Sequence, residues 1–252
     1  MVVLLLSKEF RDMPIAFRQY FRTVGRAALV IAFAIASAFS QSQHVSEFDP
    51  TVWIGYDVNN RVRLDLVMGR EESDDIGSAK WKVTVGASFR FRSAFPTLLE
   101  MIDSDKHHVL VIGTYYQYSR GTDATGTTVE HRAIFDVTGR YAIKNFLVTD
   151  RNRIEFRSVN GDFRFRYRNL AILERPFRVR GYRIAPFVTA EAFWDKDLGK
   201  WNQFRFSGGS NFALYRRSSV DVYFERAHCV SCSYTNTNVA GLRFYIFFRR
   251  KK

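Results

Sequence analysis

The sequence predicts an all-β fold: a transmembrane antiparallel β-barrel of about twelve strands, with ten as the other admissible count. Three observations carry that expectation. Polar and apolar residues alternate with a period of two through most of the chain after residue 50, as side chains on the two faces of a strand do. Most alternating segments run for about eleven to thirteen residues, closer to the roughly ten that cross a bilayer obliquely than to the five or six typical of soluble strands. A short apolar run behind several arginines stands near the start, which is the make-up of a secretory signal.

That run is Ala27–Phe39, AALVIAFAIASAF, preceded by Arg18, Arg22 and Arg26. It falls short of the roughly twenty apolar residues that a spanning helix needs. Ala36-Ser37-Ala38 offers cleavage before Phe39, and Ala38-Phe39-Ser40 offers it before Gln41. Residues 1–40 are therefore expected to be a signal peptide and 41–252 a single barrel domain. The first stretch, MVVLLLSKEFRDMP, is foreign to such a signal, and Met13 would begin a cleaner one. The competing reading of the run is a buried core helix.

The strand segments follow in order. Segment 51–57 comes first, then 61–70, where Val62, Leu64, Leu66 and Met68 alternate with Arg61, Arg63 and Asp65. Segment 80–92 sets Trp81, Val83, Val85, Ala87, Phe89 and Phe91 against lysines, arginines and small polar residues. A short helix fits Pro96–Asp103. Segments 107–119, 128–139 and 146–158 lead to 162–174, where Phe163, Phe165 and Tyr167 alternate with Arg164, Arg166 and Arg168. The last four are 182–194, 201–214, 217–227 and 237–248. Turn-rich stretches such as Asn59-Asn60, Gly121-Thr122-Asp123, Asn160-Gly161 and Asp195–Lys200 separate them. These eleven segments make an odd number, whereas single-chain bacterial barrels generally have an even one with both ends on the same side. A twelfth strand is therefore expected within Gln41–Pro50; otherwise 51–57 does not cross and ten remain. Counting back from the C-terminus puts the loops near Glu71–Ser78, Gly121, Asn160, Asp195 and Cys229 outside.

Composition narrows the classes. The chain has 252 residues, 38 Lys+Arg against 25 Asp+Glu, a formal charge of +13 and 16% aromatics. A hydrophobic fraction of 46% excludes a disordered chain. Two cysteines exclude a disulfide framework and a four-cysteine zinc site. Removing residues 1–40 takes away Lys8, Arg11, Arg18, Arg22, Arg26, Glu9 and Asp12 and still leaves +10, so the excess charge belongs to the folded part. Basic charge interleaved with aromatics is also the pattern of a nucleic-acid binder. Two-faced strands behind a secretory leader point away from that, and no nucleic-acid partner is expected.

On the barrel reading the polar face lines the interior. The candidate lining residues are Arg151, Arg153, Glu155, Arg157, Arg164, Arg166, Arg168, Glu174, Arg183, Glu191, Arg205, Asp221, Glu225 and Arg243. They have two uses. Arg–Glu pairs fill a narrow barrel by satisfying one another's hydrogen bonds, giving a structural barrel; or rings of arginine favour negative solutes, giving a narrow anion-favouring channel. Two other classes compete: a membrane-embedded hydrolase-type enzyme and a soluble secreted β-sandwich that binds a ligand. His44, His107, His108, His131 and His228 form no metal-binding spacing, and no Ser–His set stands out. No catalytic residue, metal or cofactor is expected, and the chain is not read as an enzyme. Cys229-Val230-Ser231-Cys232, in a polar loop of a secreted chain, is expected to close a small disulfide.

Several stretches together resemble a bacterial family of outer-membrane β-barrels known only as a domain of unknown function: NRIEFR (152–157), RFRYRNLAILERPF (164–177), APFVTAEAFWD (185–195), WNQFRFSGG (201–209) and NVAGLRFYIFF (238–248). The resemblance is best over about the last hundred residues and weak before Val129. It implies the fold and a bacterial outer-membrane location, and no reaction. Leu170 and Ile172 stand where further basic residues are expected. Leu242–Phe248 looks like the C-terminal signal of such barrels, with the departure that Arg249-Arg250-Lys251-Lys252 follow it. The expected partners are outer-membrane lipid and lipopolysaccharide, the barrel-assembly machinery acting on the last strand, and a small solute.

Overall fold

The computed structural model describes residues 44–249 apart from 74–76, 94–102, 124–125, 216 and 233–235. The expected signal peptide, the start at Met13, all but the last residue of the helix expected over Pro96–Asp103, and the tail beyond Arg249 lie outside the described residues.

The strands are β1 (His44–Asp57), β2 (Val62–Ser73), β3 (Ser78–Ser93), β4 (His108–Asp123), β5 (Gly126–Ile143) and β6 (Phe146–Val159), followed by β7 (Asp162–Glu174), β8 (Phe177–Val179), β9 (Tyr182–Asp195), β10 (Lys200–Tyr215), β11 (Ser218–Cys229) and β12 (Asn236–Arg249). They form one twelve-stranded sheet, and eleven of the strands close into a barrel because β10 pairs with both β9 and β11 while β12 pairs with β1. The three-residue β8 stands outside the ring, paired with β9 from Phe177↔Ile184 to Val179↔Tyr182.

The even count expected for the ring is corrected. β1 and β12 run parallel, from His44↔Asn236 to Asp57↔Arg249, and a parallel closure in an otherwise antiparallel ring requires an odd number. The expectation of both chain ends on one side is corrected with it, since β1 begins at one mouth and β12 finishes at the other. Among the described residues, 44–50 form no separate strand, and 51–57 is not a short segment beside the ring. Both belong to β1, one 14-residue strand. Pro50 hides that continuity. It has no N–H to give, and the β1–β2 ladder has rungs at Phe48↔Glu72 and Thr51↔Gly69 with none between.

The hairpins follow local chemistry. Asn160 and Gly161 both have positive φ, 51° and 95°, the two-residue turn whose twist suits its flanking strands. Connections 73–78, 123–126, 159–162, 195–200 and 229–236 share one mouth, the loop end, with the start of β1. Connections 57–62, 143–146, 174–182 and 215–218, the β3–β4 connection and Arg249 lie at the other, the turn end.

Alternation sorts the faces. Leu64, Val85, Phe89, Phe135, Phe156, Val188 and Phe206 are exposed on the outer wall, whereas Arg63, Ser88, Glu155 and Asp221 are buried inside. A soluble sandwich does the reverse and needs two facing sheets; a single ring with greasy walls corrects that alternative. Among the described residues no helix is long and apolar enough to cross a membrane, which says nothing about strands.

Candidate functional site

The chemistry of this chain is concentrated inside the barrel, where ion pairs form three connected groups. At the turn end, Arg63 is fully buried. Its Nε donates to Asp57 at 2.9 Å and its Nη1 to Asp103 at 2.7 Å, with Asp105 at 3.3 Å. Arg90 bonds both Asp57 and Asp105. Arg63 also lies 4.4 Å from the centre of the Phe247 ring, a cation–π contact strengthened by desolvation. Asp103 and Asp105 come from no strand. Asp103 caps, and Asp105 lies in, the short 3-10 turn Ser104–His107 in the β3–β4 connection. Lys106 of that turn reaches Glu174 of β7 at 2.6 Å, and Arg140 of β5 donates to the Asp105 carbonyl at 2.9 Å. Residues 103–107 thus form a crosspiece over the turn-end mouth, bonded to β2, β3, β5 and β7 and tied to Asp57 of β1 through Arg63 and Arg90.

The second group lies on β5, β6, β7 and β9. Adjacent antiparallel strands place Asp136 opposite Arg153, Arg153 opposite Arg168 and Arg168 opposite Phe193. Arg153 grips Asp136 through two bonds of 2.7 Å, the bidentate geometry that suits guanidinium. Arg168 divides its donors between Glu155 at 2.9 Å and Glu191 at 2.8 Å. Glu155, fully buried, also has Arg132 at 3.3 Å. Arg157 and Arg132 converge on Glu130 at 2.5 and 2.9 Å, and Arg166 pairs with Asp195 at 2.7 Å. Arg151 reaches Glu191 at 3.4 Å. Phe193, 1% exposed, fills the centre with Arg168 and Arg205 at 4.5 and 4.9 Å from its ring.

The third group closes the circle. Arg205 pairs with Glu225 at 3.3 Å. Asp221 accepts from Asn211 at 2.6 Å and from Tyr245 at 2.8 Å, and Arg243 lies over Tyr223 at 5.3 Å. Tyr223 donates to Asp49 at 3.1 Å, which Lys82 approaches at 3.3 Å while bonding Glu71 at 2.7 Å. Gly241 makes room for this ring: a Cβ there would stand 2.0 Å from Tyr223 Cζ. Near the loop end, a cavity of about 290 Å³ is lined mostly by acids and small polar groups, including Glu47, Glu71, Glu130 and Lys80.

The other sequence candidates are placed as follows. Arg164 is exposed near the loop end, opposite Arg157. Arg183 lies near the turn end, opposite Arg178. Cys229 and Cys232 are joined in a disulfide with Cα atoms 5.5 Å apart; Cys229 is the buried last residue of β11 rather than part of a loop. His131 sits on the outer wall, its Nδ1 2.6 Å from the Tyr116 hydroxyl. Among the described residues no group of three or more acids, histidines and cysteines is arranged to hold a metal ion. Sequence reading missed the acids that face the arginines: Asp57, Asp103, Asp105, Glu130, Asp136 and Asp195. Period two was the available signal for Glu130 and Asp136, which fall on the polar face of segment 128–139. Nothing in the alternation marks Asp103 and Asp105.

Comparison with known proteins adds the following. The family described as "Protein of unknown function (DUF2490)" matches residues 72–228. That match begins well before Val129 and stops short of the closing strand. No curated protein sequence matches the chain. The β domain of the Bordetella autotransporter BrkA resembles it with a TM-score of 0.45 at 12% identity, over 73% of this chain and 82% of that one. The KdgM porin, solved in complex with disordered oligogalacturonate, gives 0.42 at 11%, over 69% and 81%. LpxR from Salmonella typhimurium gives 0.43 at 7%, over 74% and 83%.

Proposed function

Given that the chain belongs to the DUF2490 family of proteins of unknown function, we propose that it is a bacterial outer-membrane β-barrel whose interior is an ion-pair core, a structural barrel that passes little at rest. The apolar outer wall supports the membrane reading, since a surface of Phe, Val and Leu suits lipid and not water. One observation carries the closed interior: Arg63 and Glu155 are both fully buried inside the ring, where an open aqueous pore would leave them wetted. On this reading the protein carries out no chemical step.

What does pass should be small and anionic, because the inner face of β6 and β7 is rich in arginine, with Arg151, Arg153, Arg166 and Arg168 side by side. Planar-bilayer recording tests both parts. The expected result is a small unit conductance with a reversal potential on the anion side, shifted toward neutrality by Arg166→Ala with Arg168→Ala. A large, stable conductance would overturn the closed interior. Selectivity unchanged by the double replacement would leave those arginines a packing role only.

The crosspiece sets the pH response. Burial raises Asp105, and the charge of Asp103 raises it further, so its carboxyl lies above the ordinary range. Burial pulls Asp103 upward too, but Arg63 overrides it and holds that carboxyl well below the ordinary range. As pH falls, Asp105 takes its proton first. The docked crosspiece binds that proton more tightly than a released one, so docking gains, and it is lost only as pH falls through the lowered value of Asp103. Conductance should therefore stay low between about pH 7 and 4, on the acid side of neutrality but above the ordinary aspartate value. An opening transition inside that window would contradict the assignment.

A further inference from the structure

One polar cluster interrupts the apolar outer wall. Asn152 of β6 donates to Asp150 at 3.1 Å, and Asn169 of β7 donates to Asp150 at 2.7 Å and to Asn152 Oδ1 at 3.1 Å. The Tyr167 hydroxyl donates to Asn152 Oδ1 as well. Along β6 the cluster is bracketed by Val148 on one side and by Ile154 and Phe156 on the other; along β7 it is bracketed by Leu173 and Phe165. It therefore lies within the apolar band and not at its rim.

The floor around it is small. Gly139, Asp150, Ala171 and Ala190 stand in register on four neighbouring strands, and Asn169 faces Ala192. The chain itself does not demand the glycine: a Cβ at Gly139 would meet nothing within 4 Å, and its φ is not positive. Exposed Tyr141, Leu173, Val188 and Phe206 border the patch.

On the lipid-facing reading of this wall, on which the inference rests, a carboxylate and two amides turned toward hydrocarbon are costly unless a partner covers them. The partner must be apolar at the border and must offer hydrogen-bond donors at the same depth, because most of the cluster's own donors are spent within it. A second copy of the chain meets both conditions. A two-fold axis through the patch sets the free amide hydrogen of Asn152 against the partner's Asp150, and reciprocally, while the small residues let the two walls approach. We propose that the protein forms a two-fold lateral dimer through β6, β7 and β9.

Cysteine crosslinking of the full-length protein in lipid vesicles tests this. Ala171→Cys treated with a short bismaleimide should give a dimer, and Ile54→Cys on β1, on the far side of the ring, should not; the native cysteines are held in their disulfide. Replacing Asp150, Asn152 and Asn169 together by leucine should cut the crosslinked fraction at least tenfold while the heat-modifiable folded band persists in unboiled gels. Equal crosslinking at both sites, a dimer that survives the triple replacement, or a folded monomer throughout would overturn the dimer and leave the membrane reading intact. A protein that shows no heat-modifiable band and stays soluble without detergent would instead overturn the membrane reading.

Discussion

Replacing Glu155 with alanine is expected to destabilise the folded barrel by about 3–5 kcal/mol, the range for removing one partner from a buried ion pair. The carboxylate is fully buried, with Arg168 at 2.9 Å, Arg132 at 3.3 Å and Arg153 at 3.9 Å. Its loss leaves three guanidinium groups leaning on Glu191, Glu130 and Asp136, each already engaged. Urea titration of the protein in vesicles, followed by tryptophan fluorescence, measures the loss directly. The magnitude discriminates between two pictures of the interior. A water-filled lumen would treat these as exposed pairs, worth about 0–1 kcal/mol; a packed one gives several times that. Glu155→Gln keeps the volume and removes the charge, so it should show most of the effect. Replacing Glu155 and Arg168 together by leucine should recover part of it, because the uncompensated charge leaves with its partner. A loss below about 1 kcal/mol for the alanine variant would mean that the interior is wet, and the proposed closed barrel would go with it.

How much of this was legible follows from what a period of two encodes. Alternation states which face a side chain takes, so β7 was delimited to the residue and Arg166 and Arg168 were assigned to the polar face. It does not state which neighbour stands opposite. The pairing of Arg153 with Asp136, or of Arg157 with Glu130, depends on cross-strand register, which hairpin turns and ring closure set together. The acids were therefore in view as polar residues and invisible as partners. The direction of closure is absent from the pattern altogether. Strands that run parallel or antiparallel to a neighbour alternate identically, so the pattern does not distinguish an odd ring closed by a parallel pair from an even, fully antiparallel one. Pro50 hid half of β1 for a local reason, a missing donor. The crosspiece was least legible, because Asp103 and Asp105 belong to a connection with no period, and their meaning comes only from Arg63 and Arg90 beneath them.

Replacing Arg63 with leucine should release that crosspiece and raise the unit conductance several-fold. The guanidinium holds Asp57, Asp103 and Asp105 at once, and without it Arg90 alone must balance three carboxylates gathered at the turn end. Like charges about 4 Å apart repel by about 4 kcal/mol at the effective dielectric that suits protein sites, and Asp103 then loses the arginine it pairs with. Arg63→Lys restores the charge without the planar fork or the stacking on Phe247, so it should fall between wild type and leucine. Gly55 shows how closely the site is fitted around this one side chain: a Cβ there would stand 2.8 Å from Phe247 and 3.2 Å from Arg63. The leucine variant must keep its heat-modifiable band for the recording to count, and the turn-end location predicts that it will, since the β5–β9 ion pairs do not involve Arg63. Unchanged conductance in a folded Arg63→Leu barrel would show that the crosspiece is not what closes this mouth. A several-fold rise would place the barrier at residues 103–107 and leave the arginine wall of β6 and β7 as the source of ion preference alone.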